Sequence, residues 1–264
     1  MADAMSREER LSVGQEHELL NALKRAGISS AEASAVINSK DNRLARRVLE
    51  VIAEETQDRV AEYERFFDAQ IATLKDRVVP EQIVEILQNQ KGPVVKKASD
   101  LPAGRQGCDG DGNGNIPFLP VIKPAYLGYY GLMPMVRNGS KEGYPDLNPA
   151  AITDQVETPD GLYYIYDVED GNATRGKSPE AAQMFFKRQK RSPLTAAEVV
   201  NLCIITDVLS RHSVWAPGSR YGSGVLGVPI VHLDGGDRPW LFRGYFDRWN
   251  GNWGSASCGS RDAQ

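Results

Sequence analysis

Apolar residues recur every three to four positions through the first ninety residues, and that spacing predicts helices. Leu19, Leu20 and Leu23 form one stripe, which stops at Gly27, a residue suited to ending a helix. Ser30 stands where it can cap a short helix bearing Ala33, Val36 and Ile37, and Asp41 where it can cap the next, with Leu44, Val48, Val51 and Ile52. A longer stripe of Val60, Tyr63, Phe67, Ile71, Leu74 and Val78 steps by threes and fours. Pro80 opens a further short helix with Ile83, Val84, Ile86 and Leu87 on one side. Residues 1–90 therefore read as a helical region, and the stripe through Phe67 as core or dimer contact.

The pattern breaks at residues 91–115. Pro93, Pro102, Gly104, Gly107, Gly110, Gly112 and Gly114 crowd a stretch with almost no apolar residue after Leu101, which reads as a Gly-rich linker and a domain boundary. Beyond it the period shortens. Residues 116–122 and 162–168 are short, aromatic and β-branched, as strands are. Ser178, Pro179 and Glu180 start a helix whose last turn holds Lys187, Arg188, Lys190 and Arg191, where cations complement the helix dipole without a partner. Thr195 and Glu198 form a capping box before a buried helix with Val199, Val200, Leu202, Cys203, Ile204, Ile205 and Leu209. Strands are expected again at 227–233, 240–246 and 253–258. The expected fold class is α+β: an N-terminal helical region, then residues 116–264 as a mixed or antiparallel sheet domain with two packed helices.

Composition narrows the class without changing this picture. The chain has 264 residues, 41% hydrophobic and 25% charged, with a formal net charge of -4, enough for a real core and no basic excess in either half. Lys40, Arg43, Arg46 and Arg47 could begin a groove-facing helix, but Glu16, Glu18, Glu32, Glu50, Glu54 and Glu55 cancel them, which argues against nucleic acid as a partner. Residues 1–11 lack the apolar core of a secretory signal. No run reaches the roughly 18 apolar residues of a membrane span, so no membrane partner is expected. Cys108, Cys203 and Cys258 are odd in number and far apart, which fits a reduced, cytoplasmic chain.

Three constellations could carry chemistry. Asp109 to Asn115 matches the opening of a calcium loop, yet Pro120 stands where the bidentate Glu belongs; no metal or cofactor is expected. His232 and Asp234 alternate on one strand end and, with Cys258 across the sheet, would supply the base, acid and thiol of a cysteine-dependent hydrolase. The third is the group Arg220, Tyr221, Trp240, Arg243, Tyr245, Trp249, Trp253 and Arg261, residue types that dominate binding hot spots.

The runs Arg191-Ser192-Pro193-Leu194-Thr195, Pro217-Gly218-Ser219-Arg220, Gly227-Val228-Pro229-Ile230-Val231 and Gly254-Ser255-Ala256-Ser257-Cys258-Gly259-Ser260-Arg261 resemble, in order and spacing, a bacterial family of unknown function over residues 116–261. Residues 101–107 are similar to a repeat-derived insertion of candidate-phylum bacteria. The resemblance implies a fold and no activity. Related sequences carry Gly-Trp-Cys-Trp and Asn-Pro-His-Thr-Trp where this chain has Leu241-Phe242-Arg243-Gly244 and Asp247-Arg248-Trp249-Asn250, so the family's histidine and first cysteine are missing here.

The functional expectation is a ligand- or protein-binding module, more a binder than an enzyme, whose surface comprises Arg220, Trp240, Arg243, Tyr245, Trp249, Trp253 and Arg261. The alternatives are the hydrolase of Cys258, His232 and Asp234, and a structural role through self-association of the N-terminal helices.

Overall fold

In the computed structural model the described residues are 13–25, 27–101, 115–224 and 226–262, and they divide into two compact units, residues 1–58 and 59–264. The first unit holds α1 (Val13–Arg25), α2 (Ser30–Ile37) and the start of α3 (Arg43–Asp76). Gly27 ends α1 as expected, at φ 86, with the Ile28 N–H reaching back to the Leu23 carbonyl at 3.1 Å. The cap of α2 is Ser29 rather than Ser30. Its hydroxyl accepts from Glu32 N–H, and the Glu32 carboxylate accepts from Ser29 N–H at 2.7 Å. Asp41 does not cap α3: it takes φ 54 inside a short 3-10 turn, and the Ser39 hydroxyl accepts the Leu44 N–H instead.

In the second unit the rest of α3 is followed by α4 (Glu81–Gln88) and α5 (Lys91–Asp100). Helix α5 corrects the linker expectation over its first ten residues. Gly92 and Pro93 fall in its first turn, where the backbone N–H groups need no helical partner, so these residues permit a helix start rather than break one. Residues 102–114, with the rest of that expectation and the loop from Asp109, lie outside the described residues.

Next come β1 (Ile116–Val121), α6 (Pro124–Leu132), β2 (Arg137–Asn138), β3 (Lys141–Glu142), β4 (Tyr144–Pro145), β5 (Ile152–Asp154) and β6 (Tyr163–Val168). Then follow α7 (Pro179–Gln189), β7 (Ser192–Pro193), α8 (Ala196–Ile205), β8 (Ser213–Trp215) and β9 (Ser219–Tyr221). The chain closes with β10 (Gly227–Leu233), β11 (Pro239–Tyr245), β12 (Trp253–Ser255), β13 (Ser257–Cys258) and β14 (Ser260–Asp262). The fold is α+β. Helix α6 is a third helix beside α7 and α8, hidden in the sequence because Gly128 (φ 62, ψ 166) joins two short turns instead of continuing one.

One core joins both kinds of element. Phe67 and Tyr63 of α3 meet Phe118 of β1, and Phe67 stacks on Tyr164 of β6 with centroids 5.8 Å apart. Polar groups tie the helices to the sheet here: Gln70 donates to the Phe118 carbonyl at 2.8 Å, and Tyr164 donates to the Leu87 carbonyl at 3.2 Å. Helix α8 is buried on all sides, and the Asn201 amide locks it to the end of β1 by pairing with both Ile122 N–H and C=O.

Two sheets frame this core. The first, in order β1-β6-β14, is antiparallel; the second, β12-β8-β10-β11-β4, is mixed, with β12 parallel to β8 and β4 parallel to β11. Val214, Val231 and Leu241 of the second sheet enter the main core, while Trp215, Val228 and Ile230 form a smaller cluster on the opposite face. Gly244 is required there, because a Cβ would sit 2.1 Å from the Trp215 ring. Gly244→Ala should cost about 1–3 kcal/mol through overpacking, read by denaturant unfolding; no shift in the midpoint would contradict this account.

Candidate functional site

The motif segments that are scattered along the sequence meet in space. Strand β13 pairs with β7, setting Ser257 opposite Pro193 and Cys258 opposite Ser192. Leu194 N–H donates to the Ala256 carbonyl, and Gly218 N–H to the Leu194 carbonyl. Gly218 has to be glycine for this approach, since a Cβ would lie 2.7 Å from the Leu194 carbonyl. Ser219 completes the junction: its hydroxyl accepts the Ala196 N–H at 2.8 Å and donates to Asp154 at 2.6 Å.

Arg261 fastens the tail to this junction. Its Nε and Nη2 donate to the two oxygens of Glu198 at 2.6 and 2.8 Å, Nη1 donates to Ser192 Oγ, and Nη2 also reaches the Pro193 carbonyl. Glu198 is fully buried, and it also accepts from Thr195 N–H and from the Tyr163 hydroxyl. Burial works against the Arg261 charge, but the hydrogen bonds and charge of Glu198 outweigh it and hold the guanidinium above its ordinary range. Burial pushes the Tyr163 and Tyr129 hydroxyls up and also raises Asp154, whose bond from Ser219 opposes the rise. This assembly joins structure, and it engages four of the five N–H donors of Arg261.

Arg191 behaves alike and corrects the expectation that the whole cationic cluster closes the helix without a partner. Only Lys187 and Arg188 sit in the last turn of α7; Lys190 turns left-handed at φ 55, and Arg191 points inward, to Ser257 Oγ at 2.8 Å and to the Asp167 carboxylate at 2.5 Å. Asn115, the last residue of the calcium-like loop, donates to that same Asp167.

Cys258, His232 and Asp234 are not assembled into a catalytic group. Cys258 is fully buried in β13, where the neighbouring charges are Arg261, Glu198, Arg191 and Asp167, and burial pushes its thiol up to about 12. His232 faces three aromatic rings, and Asp234 is engaged by the N–H groups of Gly236 and Arg238 and by the Tyr144 hydroxyl. At pH 8, iodoacetamide should leave Cys258 unlabelled in the native protein and label it after unfolding, as mapped by peptide mass spectrometry. Rapid native labelling would contradict its burial.

The aromatic and arginine set divides into separate places. Trp240 and Trp253 join His232, Phe242 and Tyr144 on the face of the second sheet that points away from the main core. Trp240 stacks on Phe242 at 4.4 Å and lies near parallel to Tyr144 at 6.2 Å; His232 sits 5.0 to 5.6 Å from Phe242, Trp240 and Trp253. All five side chains are half-buried, burial lowers the His232 pKa, and the Arg238 guanidinium covers the Tyr144 ring at 4.7 Å. Arg220 instead lies over Phe246 at 4.2 Å and donates to the Pro217 and Ser219 carbonyls. Arg243 and Tyr245 pair with each other at 2.6 Å, and strand alternation turns them from the Trp240 face. Trp249 is 70% exposed and outside the cluster. Tyr144 and Phe242 were missed by the sequence reading, although Trp240 and Phe242 at i and i+2 carried a readable signal.

A second group that the sequence did not suggest is Glu169. Its Oε1 accepts the N–H groups of Gly171 and Ala173, while the buried Oε2 has no hydrogen-bond partner. Burial, with a smaller push from Asp170, raises its pKa to about 7. Asp170 pairs with Arg211 at 3.0 Å, and its carbonyl contacts His212 Nε2.

Among the described residues no cluster of three or more His, Cys, Asp or Glu could hold a metal ion, and no helix is long and apolar enough to cross a membrane. No curated protein and no solved structure matches the chain. A family of unknown function, DUF5701, matches residues 77–238, more than half of the chain and inclusive of three of the four motif runs, with the tail from Gly254 beyond it. The chain belongs to the family DUF5701.

Proposed function

We propose that this protein is a ligand-binding module and that its recognition surface is the aromatic face formed by Tyr144, His232, Trp240, Phe242 and Trp253. What carries the reading is the placement of five ring side chains from four strands of one sheet, half-buried within one continuous cluster on a sheet face turned away from the main core. Rings so arranged favour a small ligand with a planar or ring-shaped apolar face, because stacked and edge contacts give orientation as well as area. Arg220, Arg243, Tyr245, Trp249 and Arg261 fall outside this smaller surface.

Intrinsic tryptophan fluorescence titrated with short chito-oligosaccharides, nucleosides and indole tests the reading. We expect one class to give a saturable change that Trp240→Ala abolishes and Arg243→Ala leaves intact, with circular dichroism unchanged in both. Saturable binding that survives both Trp240→Ala and Trp253→Ala, or no response to any class, overturns it.

A further inference from the structure

Six apolar side chains of the helical unit of residues 1–58 are left uncovered. Leu19, Leu23, Ile37, Leu44, Val48 and Val51 all stand open to solvent. Helices of 13 and 8 residues are marginal in water without a packed face, so this unit calls for a partner surface. The charges on α3 identify it. Arg43, Arg46 and Arg47 occupy its first two turns, no acid stands in the first turn, and Glu50, Glu54, Glu55 and Asp58 follow. Cations at that end oppose the helix dipole, and the pairing of Arg47 with Glu50 and Glu54 inside the helix is solvent-exposed and weak.

We propose that a second copy of this chain covers Leu44, Val48 and Val51 by packing α3 antiparallel on α3 across a two-fold axis. Such an axis sets the basic start of each helix beside the acidic stretch of the other, and each acidic group then also offsets the dipole of its neighbour. A parallel pair would bring arginine onto arginine and glutamate onto glutamate, which disfavours that register. The self-complementary charge order is what selects a second copy over an unrelated protein.

Sedimentation equilibrium of the full chain provides the test. The wild type should be a dimer whose dissociation constant rises with salt. Val48→Asp should weaken it at least about tenfold by placing a charge in the seam. The combined change Arg43→Glu and Arg47→Glu, at exposed positions that leave folding intact, should weaken it by a similar factor, and adding Glu54→Arg and Asp58→Arg in the same chain should restore it. A wild type that stays monomeric up to millimolar concentration overturns the proposal and leaves another protein as the cover. A dimer indifferent to Val48→Asp, or a charge reversal that the second pair fails to rescue, overturns it as well.

Discussion

Replacing Arg261 by alanine should destabilise the fold by about 3–5 kcal/mol, the range found when one partner of a buried ion pair is removed and the other charge stays behind. The partner is Glu198, fully buried and held by both guanidinium donors at 2.6 and 2.8 Å. Arg261→Lys should recover only part of the loss, because an ammonium cannot reproduce two parallel bonds together with the contacts to Ser192 and Pro193. Removing both charges, as Arg261→Met with Glu198→Gln, should cost clearly less than the sum of the single changes, since no unpaired charge is left buried. Denaturant unfolding of the wild type, Arg261→Met, Glu198→Gln and the double variant measures this cycle. A loss below about 1 kcal/mol for Arg261→Ala would mean that the tail is not held by this pair.

Replacing Glu169 by glutamine should make the protein more stable than wild type at pH 8, by roughly 3 kcal/mol, and change little at pH 4. Burial raises this carboxyl from 4.5 in the unfolded chain to about 7 in the fold. The folded state therefore prefers the protonated form: its advantage is complete below pH 4.5 and is lost as pH rises to 7, beyond which the buried carboxylate, with Asp170 beside it, weighs against folding at a constant level. Glutamine keeps the acceptor for Gly171 and Ala173 without the charge. The wild-type profile alone is a poor readout, because His212 has a lowered pKa, from burial, and loses stability in the opposite direction as pH falls. The difference between the two proteins at each pH removes the His212 contribution. A difference that does not grow between pH 4.5 and 7 would exclude a buried, raised Glu169.

Much of the fold was legible because local chemistry decided it. Thr195 and Glu198 form the capping box that their spacing announces, Ser178 caps α7 through Ala181 N–H, and the strand expected at 227–233 is β10 residue for residue. The expected strand at 253–258 is real but broken, since Ala256 intervenes between β12 and β13 as the chain leaves one sheet for another. What stayed hidden was long-range. Nothing near Arg261 in the sequence names Glu198, and Arg191 reads as a helix-end cation until Asp167 and Ser257 are brought beside it by strand pairing. The aromatic and arginine group was read as one surface because its members are close in sequence; alternation along β11 sends Trp240 and Phe242 to one side and Arg243 and Tyr245 to the other.

The way residues 253–262 run through three sheets has a kinetic side. Within ten residues the chain pairs first with β8, then with β7, then with β6, where Arg261 stands opposite Ile165. Each of these pairings closes a loop of many tens of residues, and the entropy of closure is lost before any contact is gained. The helices from α3 to α5 form on local contacts and should organise early, whereas the sheets can lock only when this segment arrives. Refolding is then governed by the docking of ten residues, and proteins that stall on the way would present the open edge of β6 to one another.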